Sequence, residues 1–152
     1  MDHRIEDKGK FKVVGLSIDT SVQNVQKDVP PVWEEFLERY KEIKHYIGGM
    51  KNYGVCFEKK KEDCDFQYIA CCEVGDFENV PEKMVMAEVD ASKYAVFTHK
   101  GKIEELSKTY GNIMAFMPSS GMKQKNFWFE FYDQKWNGGK TESEFEIWVA
   151  IE

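Results

Sequence analysis

Phe127-Trp128-Phe129-Glu130-Phe131-Tyr132-Asp133 reads as a β-strand neither of whose faces is ordinary solvent surface. A period of two puts Trp128, Glu130 and Tyr132 on one side and Phe127, Phe129 and Phe131 on the other. A carboxylate between Trp and Tyr on so apolar a strand is costly to bury alone, so it is paired, protonated or kept for a ligand. On the pattern alone a second reading stands beside this one, in which Glu130 faces water at a sheet edge or pairs with a lysine.

Working outward, Phe145 to Ile151 follows as another strand across a loop that holds Gly138-Gly139. Upstream, Ile103, Leu106, Tyr110, Ile113, Met114 and Met117 recur at helical spacing until Pro118-Ser119-Ser120-Gly121 breaks the pattern. Tyr94 to His99 is a strand ended by Gly101, and Met84 to Val89 is a strand or its lead-in. The second half is thus strand, helix, strand, strand. The first half has the same order. Phe11 to Ile18 is its first strand. A helix opened by Pro30-Pro31 carries Val32, Phe36, Tyr40, Ile43 and Ile47 up to Gly48-Gly49. Tyr53 to Glu58 and Phe66 to Glu73 then form two strands joined by a hairpin loop over Lys59 to Asp65.

The expected fold is α+β, with tandem duplicated strand-helix-strand-strand units, antiparallel sheets with one long helix each, and a pseudo-twofold arrangement with a central ligand cleft. The 152 residues fit a single domain, 1–152, with residues 1–10 as a flexible N-terminus.

Composition excludes several function classes. The net charge is −6 and the 21 basic residues are scattered, so nothing neutralises a run of phosphates and no direct DNA binding is expected. The residues ahead of Phe11 are too few for a three-helix DNA reader. No apolar run suits a signal peptide or a membrane span, which gives a cytoplasmic expectation and no membrane partner. Cysteines at 56, 64, 71 and 72 lack CxxC spacing and read as free thiols, with adjacent Cys71 and Cys72 on opposite strand faces. Three histidines far apart in sequence complete no ligand set, so no metal and no cofactor is expected. His99 beside Lys100 reads as structural, because no nucleophile elbow or triad spacing accompanies it.

Aromatic residues reach 14%, more than a core of this size requires. Trp33, Tyr53, Tyr68, Trp128 and Tyr132 are the candidate walls of a pocket whose floor is Glu130, although Trp33, Tyr53 and Tyr68 are also candidates for plain core packing. A carboxylate among rings favours organic cations, through charge and through cation–π attraction of about 2 kcal/mol when desolvated.

Several segments resemble the GyrI-like effector-binding domains, also found at the C-termini of AraC-type and MerR-type multidrug regulators. They are Val13-Val14-Gly15, Pro31-Val32-Trp33, Tyr53-Gly54-Val55, Phe66 to Ala70, Val80-Pro81, Tyr94 to Gly101, Phe129 to Asp133 and Glu146 to Ile151. The resemblance covers nearly the whole chain and implies the same duplicated module. It also implies a place in the ligand pocket for the glutamate of the Phe-Glu-x-Tyr-Asp segment, which here is Glu130. The chain departs from the family at Val149-Ala150, where an Ile-Pro pair is common, and at Cys71-Cys72, near which a glycine is frequent, so ligand identity does not transfer. The leading expectation is a domain that senses or sequesters small amphipathic, cationic organic compounds, in a transcription-related role, with a regulatory protein as a further partner class. The alternatives are a hydrolase of electrophilic natural products, with Glu130 as its catalytic residue, and a protein-interaction module of gyrase-inhibitor type.

Overall fold

The computed structural model describes residues 1–44, 46, 51–62, 64–133 and 143–152. In chain order the elements are β1 (Arg4–Lys8), β2 (Phe11–Thr20), α1 (Val25–Arg39), β3 (Asn52–Lys61), β4 (Cys64–Val74), β5 (Val85–Val89), β6 (Ser92–Lys100), α2 (Leu106–Ser120), β7 (Gln124–Tyr132) and β8 (Glu144–Ile151). The two halves, β2-α1-β3-β4 and β6-α2-β7-β8, repeat one α+β module. They are joined into one eight-stranded sheet instead of forming separate sheets, with strand order β1-β6-β8-β7-β3-β4-β2-β5 and every neighbour antiparallel. The seam between the halves is the β3–β7 ladder, where Val55 faces Phe129 and Gly54 faces Glu130.

The strand preceding each module crosses over to the other one: β1 pairs with β6, and β5 pairs with β2. In a flat sheet β5 and β6 would lie six strand spacings apart, about 29 Å. Only Asp90 and Ala91 separate Val89 from Ser92, a link that spans about 11 Å at most. The sheet therefore rolls until its edges approach each other. Its inner face is filled by Phe11, Val13, Tyr53, Val55, Ile69, Tyr94, Phe127, Phe129 and Trp148. Phe129 is the hub of this interior, with ring centroids of Phe11, Tyr53, Tyr94 and Trp148 at 5.5, 5.6, 5.2 and 5.3 Å. Both helices cover the outer face, α1 through Phe36, Val29 and Val32 on the first half and α2 through Ile113 and Met117 on the second.

Local details differ from the sequence expectations. Residues 4–8 of the expected flexible N-terminus are β1, because β6 offers them a full ladder from Arg4↔Val96 to Lys8↔Ser92. The first helix starts before the prolines, since the Ser21 carbonyl accepts from the amides of Asn24 and Val25 at 3.1 and 2.9 Å and nucleates the turn upstream. Pro30 and Pro31 lie inside α1 on its exposed side. The α-helix ends at Arg39, followed by a 3-10 turn over Tyr40–Glu42 and extended backbone at Ile43. Ile47, Gly48-Gly49 and Gly138-Gly139 lie outside the described residues. Much of the expected hairpin loop is strand, since β3 runs to Lys61 and β4 resumes at Cys64, with a register shift between Glu58 and Lys61. Pro118 is within α2, which closes on Gly121 at φ 80°, a left-handed conformation suited to glycine.

Phe129→Ala removes the interior hub and is expected to lower stability by about 3–5 kcal/mol. Exposed Met114→Ala should stay within about 0.5 kcal/mol of wild type. Urea unfolding midpoints check both, and equal effects would place the load-carrying core elsewhere.

Candidate functional site

Alternation along β7 turns Glu130 toward the helix-covered face while Phe129 and Phe131 turn inward. Glu130 sits at the seam opposite Gly54, and it is 4% exposed. A side chain at position 54 would collide with the Glu130 carboxylate and the Tyr68 hydroxyl, so glycine makes the room that the acid occupies. Tyr68 comes from β4, Tyr132 lies two residues further along β7, and α2 brings Tyr110 over the top.

Three phenols converge on the one carboxylate. Tyr68 and Tyr132 donate to Oε1 at 2.7 and 2.9 Å, and Tyr110 donates to Oε2 at 2.6 Å. From α1, the Trp33 indole nitrogen donates to the Tyr68 hydroxyl at 2.8 Å, which extends the chain to both helices. The Trp33 ring also meets Tyr132 edge-on at 5.4 Å and touches the cores of both halves, so it stands across the seam.

None of the ion pairs among the described residues involves Glu130. Burial pushes its carboxyl above the usual glutamate range, and the donors Tyr110, Tyr68 and Tyr132, with the nearby His99, pull the other way without reversing it. The three phenols are raised well above the ordinary tyrosine value, by burial first and by the Glu130 charge second, so they remain protonated donors at neutral pH. The outcome is a polar, water-poor centre that carries negative charge whenever Glu130 ionises and holds no cation of its own among these contacts.

Of the residues picked from sequence, Trp33, Tyr68, Glu130 and Tyr132 come together here. Trp128 shares their face, packing against Phe66 at 5.4 Å and touching the cores of both halves. Tyr53 does not belong with them. It pairs with Cys71 while Tyr68 pairs with Cys56, three positions along the same ladder, and this odd spacing sends its ring to the interior against Phe11, Phe129 and Phe131. Tyr110 was read only as part of a helical stripe, and Gly54 only as part of a family segment. The stripe that buries Ile113 and Met117 also turns Tyr110 inward, which was the available signal. Two open cavities lie elsewhere. One of about 660 Å³ lies between β1 and the end of α2, and one of about 220 Å³ lies beside Arg4, Lys100 and Glu146. No helix among the described residues is long and apolar enough to cross a membrane.

Comparison with known proteins gives a consistent picture. The model of the Cass2 family, described as integron-associated effector binding protein, matches residues 4–151. The transcriptional regulator BrlR of Pseudomonas aeruginosa is 32% identical over 154 residues, which cover 99% of this chain and 56% of BrlR, so the chain spans little more than half of that relative. The structure of SAV2435 bound to tetraphenylphosphonium superposes with a TM-score of 0.79 at 16% identity, covering 100% of this chain and 94% of the other. An integron cassette protein from the mobile metagenome of Vibrio cholerae gives a TM-score of 0.69 at 19% identity, covering 99% and 95%.

A carboxyl raised by folding is linked to stability with a definite sign. The native state favours protonated Glu130, so its contribution is fully present below the unfolded value of about 4.3 and is lost as pH rises through the raised native value. Glu130→Gln lacks this dependence. The stability of wild type minus that of the variant should therefore fall between pH 4 and pH 7, measured by urea unfolding at fixed salt. A flat difference, or one that grows with pH, would contradict the burial argument.

Proposed function

The chain belongs to the family of integron-associated effector binding proteins, and on that premise we propose that it binds small amphipathic organic cations, with Glu130 as the counter-charge. The observation that carries this reading is a carboxylate at the seam of two modules, satisfied by three phenol hydroxyls and, among the described residues, by no ion pair. Such donors let the acid exist in the interior while leaving its charge available. A lipophilic cation supplies the missing positive charge and offers apolar surface to Trp33, Trp128, Tyr68, Tyr110 and Tyr132. Tetraphenylphosphonium, the ligand of the similarly folded SAV2435, fits this chemistry and is the natural probe.

Access requires movement, since Glu130 is buried and both its oxygens are taken. A ligand has to part Trp33 from Tyr132 and displace at least one hydroxyl. Its bound positive charge then stabilises the ionised carboxylate, so binding expels the proton that burial favours and weakens as the solution becomes more acid.

The same raised carboxyl is what favours the hydrolytic alternative, in which Glu130 protonates a leaving group or activates water. The two readings part on turnover, because a binding module returns its ligand unchanged.

Tryptophan-fluorescence titration with tetraphenylphosphonium, and with uncharged triphenylphosphine oxide, tests the proposal. Wild type should prefer the cation, Glu130→Gln should lose at least about tenfold in cation affinity, equivalent to about 1.4 kcal/mol, and the neutral compound should not distinguish the two proteins. Equal cation binding by both proteins would refute the counter-charge.

A further inference from the structure

His99 is a buried ionisable side chain, 1% exposed near the end of β6, that makes no hydrogen bond to the carboxylate–tyrosine centre. Its Nε2 donates to the Lys102 carbonyl at 2.9 Å. In the neutral ring this leaves Nδ1 to accept from the Thr109 hydroxyl, at 2.7 Å. The two partners bracket the 3-10 turn Ile103–Glu105 and the first turn of α2. That turn has no side-chain capping bond from Glu105; its apolar contact with the core is the half-buried Leu106, and the helix's buried side chains, Ile113 and Met117, come later. The Gly101 amide is tied to the Ser143 carbonyl at 2.8 Å, but this anchors the end of the strand and not the helix. His99 thus pins the start of α2 to the sheet by polar contacts, and the Phe145 ring supports the imidazole from the side at 5.3 Å.

Thr109 is directly followed by Tyr110, the donor to Oε2 of Glu130. We infer that His99, acting through Thr109, is the positioning residue that holds Tyr110 against Glu130. Its consequence for ligand affinity rests on the cation-binding reading above. A hydrogen bond of 2.6 Å tolerates little displacement, since a donor moved out by 1 Å is beyond bonding distance. Loosening the first turn of α2 therefore withdraws one donor from the carboxylate while leaving Tyr68 and Tyr132, which are carried by strands, in place.

The ligand-free chain gives the first test, through titration of Glu130 followed by carboxyl carbon NMR. Thr109→Val, which keeps the volume and removes the hydroxyl, should move the Glu130 midpoint upward, as Tyr110→Phe does. The double variant should move it no further than Tyr110→Phe alone, whereas Thr109→Val combined with Tyr68→Phe should give shifts that add. Thr109→Ser should restore the wild-type midpoint, and His99→Gln, which also removes the electrostatic pull of the imidazole on Glu130, should move it further upward than Thr109→Val does. If His99→Gln fails to fold, the Thr109 variants carry the test alone. Additive shifts with Tyr110→Phe, or a wild-type midpoint in Thr109→Val, would overturn the assignment. The second readout is the tetraphenylphosphonium Kd, which should rise in Thr109→Val and return in Thr109→Ser. Failure of wild type to bind that cation would overturn the functional reading and the affinity consequence, while the ligand-free titration still decides the positioning.

Discussion

Desolvation of one carboxylate is the constraint on which the rest of this structure turns. Taking an ionised carboxyl out of water costs several kcal/mol even after relaxation. Hydrogen bonds to a charged group return about 1.5–3 kcal/mol each, so three phenols come close to balance without passing it, in keeping with the upward displacement of Glu130. Balance demands exact placement of parts that are distant in sequence. β4 supplies Tyr68, β7 supplies Glu130 and Tyr132, α2 supplies Tyr110, and β3 supplies the glycine that leaves space for the acid. The seam between the modules is where these elements meet, so the polar centre and the joining of the halves are one feature.

The two faces of β7 divide the work. Its phenylalanines fill the interior of the rolled sheet, where edge-to-face ring contacts contribute about 0.5–1.5 kcal/mol each beyond area burial. Its other face carries the acid under the helices. A strand with interior packing on one side can hold a costly polar group on the other, because the rigid side limits how far the backbone can relax away from its donors. The crossed pairing makes β1 and β5 the two edges of the roll, and Val85, Ala87 and Val89 of β5 join the interior that Phe129 packs into.

Much of this was legible in the sequence wherever a period was long and clean. Alternation over Phe127 to Asp133 located the acid and both faces of the strand, and the stripes of the two helices gave the order of the repeated module. What escaped depended on tertiary partners. Residues 4–8 look polar and unstructured, and they become a strand only because β6 offers an edge. Pro30-Pro31 suggested a helix start, but the Ser21 carbonyl starts the turn earlier. The misplacement of Tyr53 shows the limit sharply: the face of each strand follows from ladder register, and register between strands is not written in either strand alone. Tyr110 was hidden differently, as a polar tip on an otherwise apolar stripe, where the ring explains the pattern and the hydroxyl does the work.

The choice of tyrosine over lysine as partner has its own logic. A lysine would satisfy Glu130 more fully, but an entering cation would then have to break a buried ion pair, at about 3–5 kcal/mol, and leave the displaced ammonium without a partner. A phenol that yields its place to a cation remains neutral, and the Tyr68 oxygen still accepts from the Trp33 indole N–H when its own hydroxyl turns away from Glu130. Tyrosines therefore keep the acid soluble in the protein interior without cancelling its charge, and under the proposed binding the same rings would present aromatic faces to the ligand. On that proposal a centre built this way combines stability when empty with attraction for positive charge, which no arrangement with a resident lysine would combine.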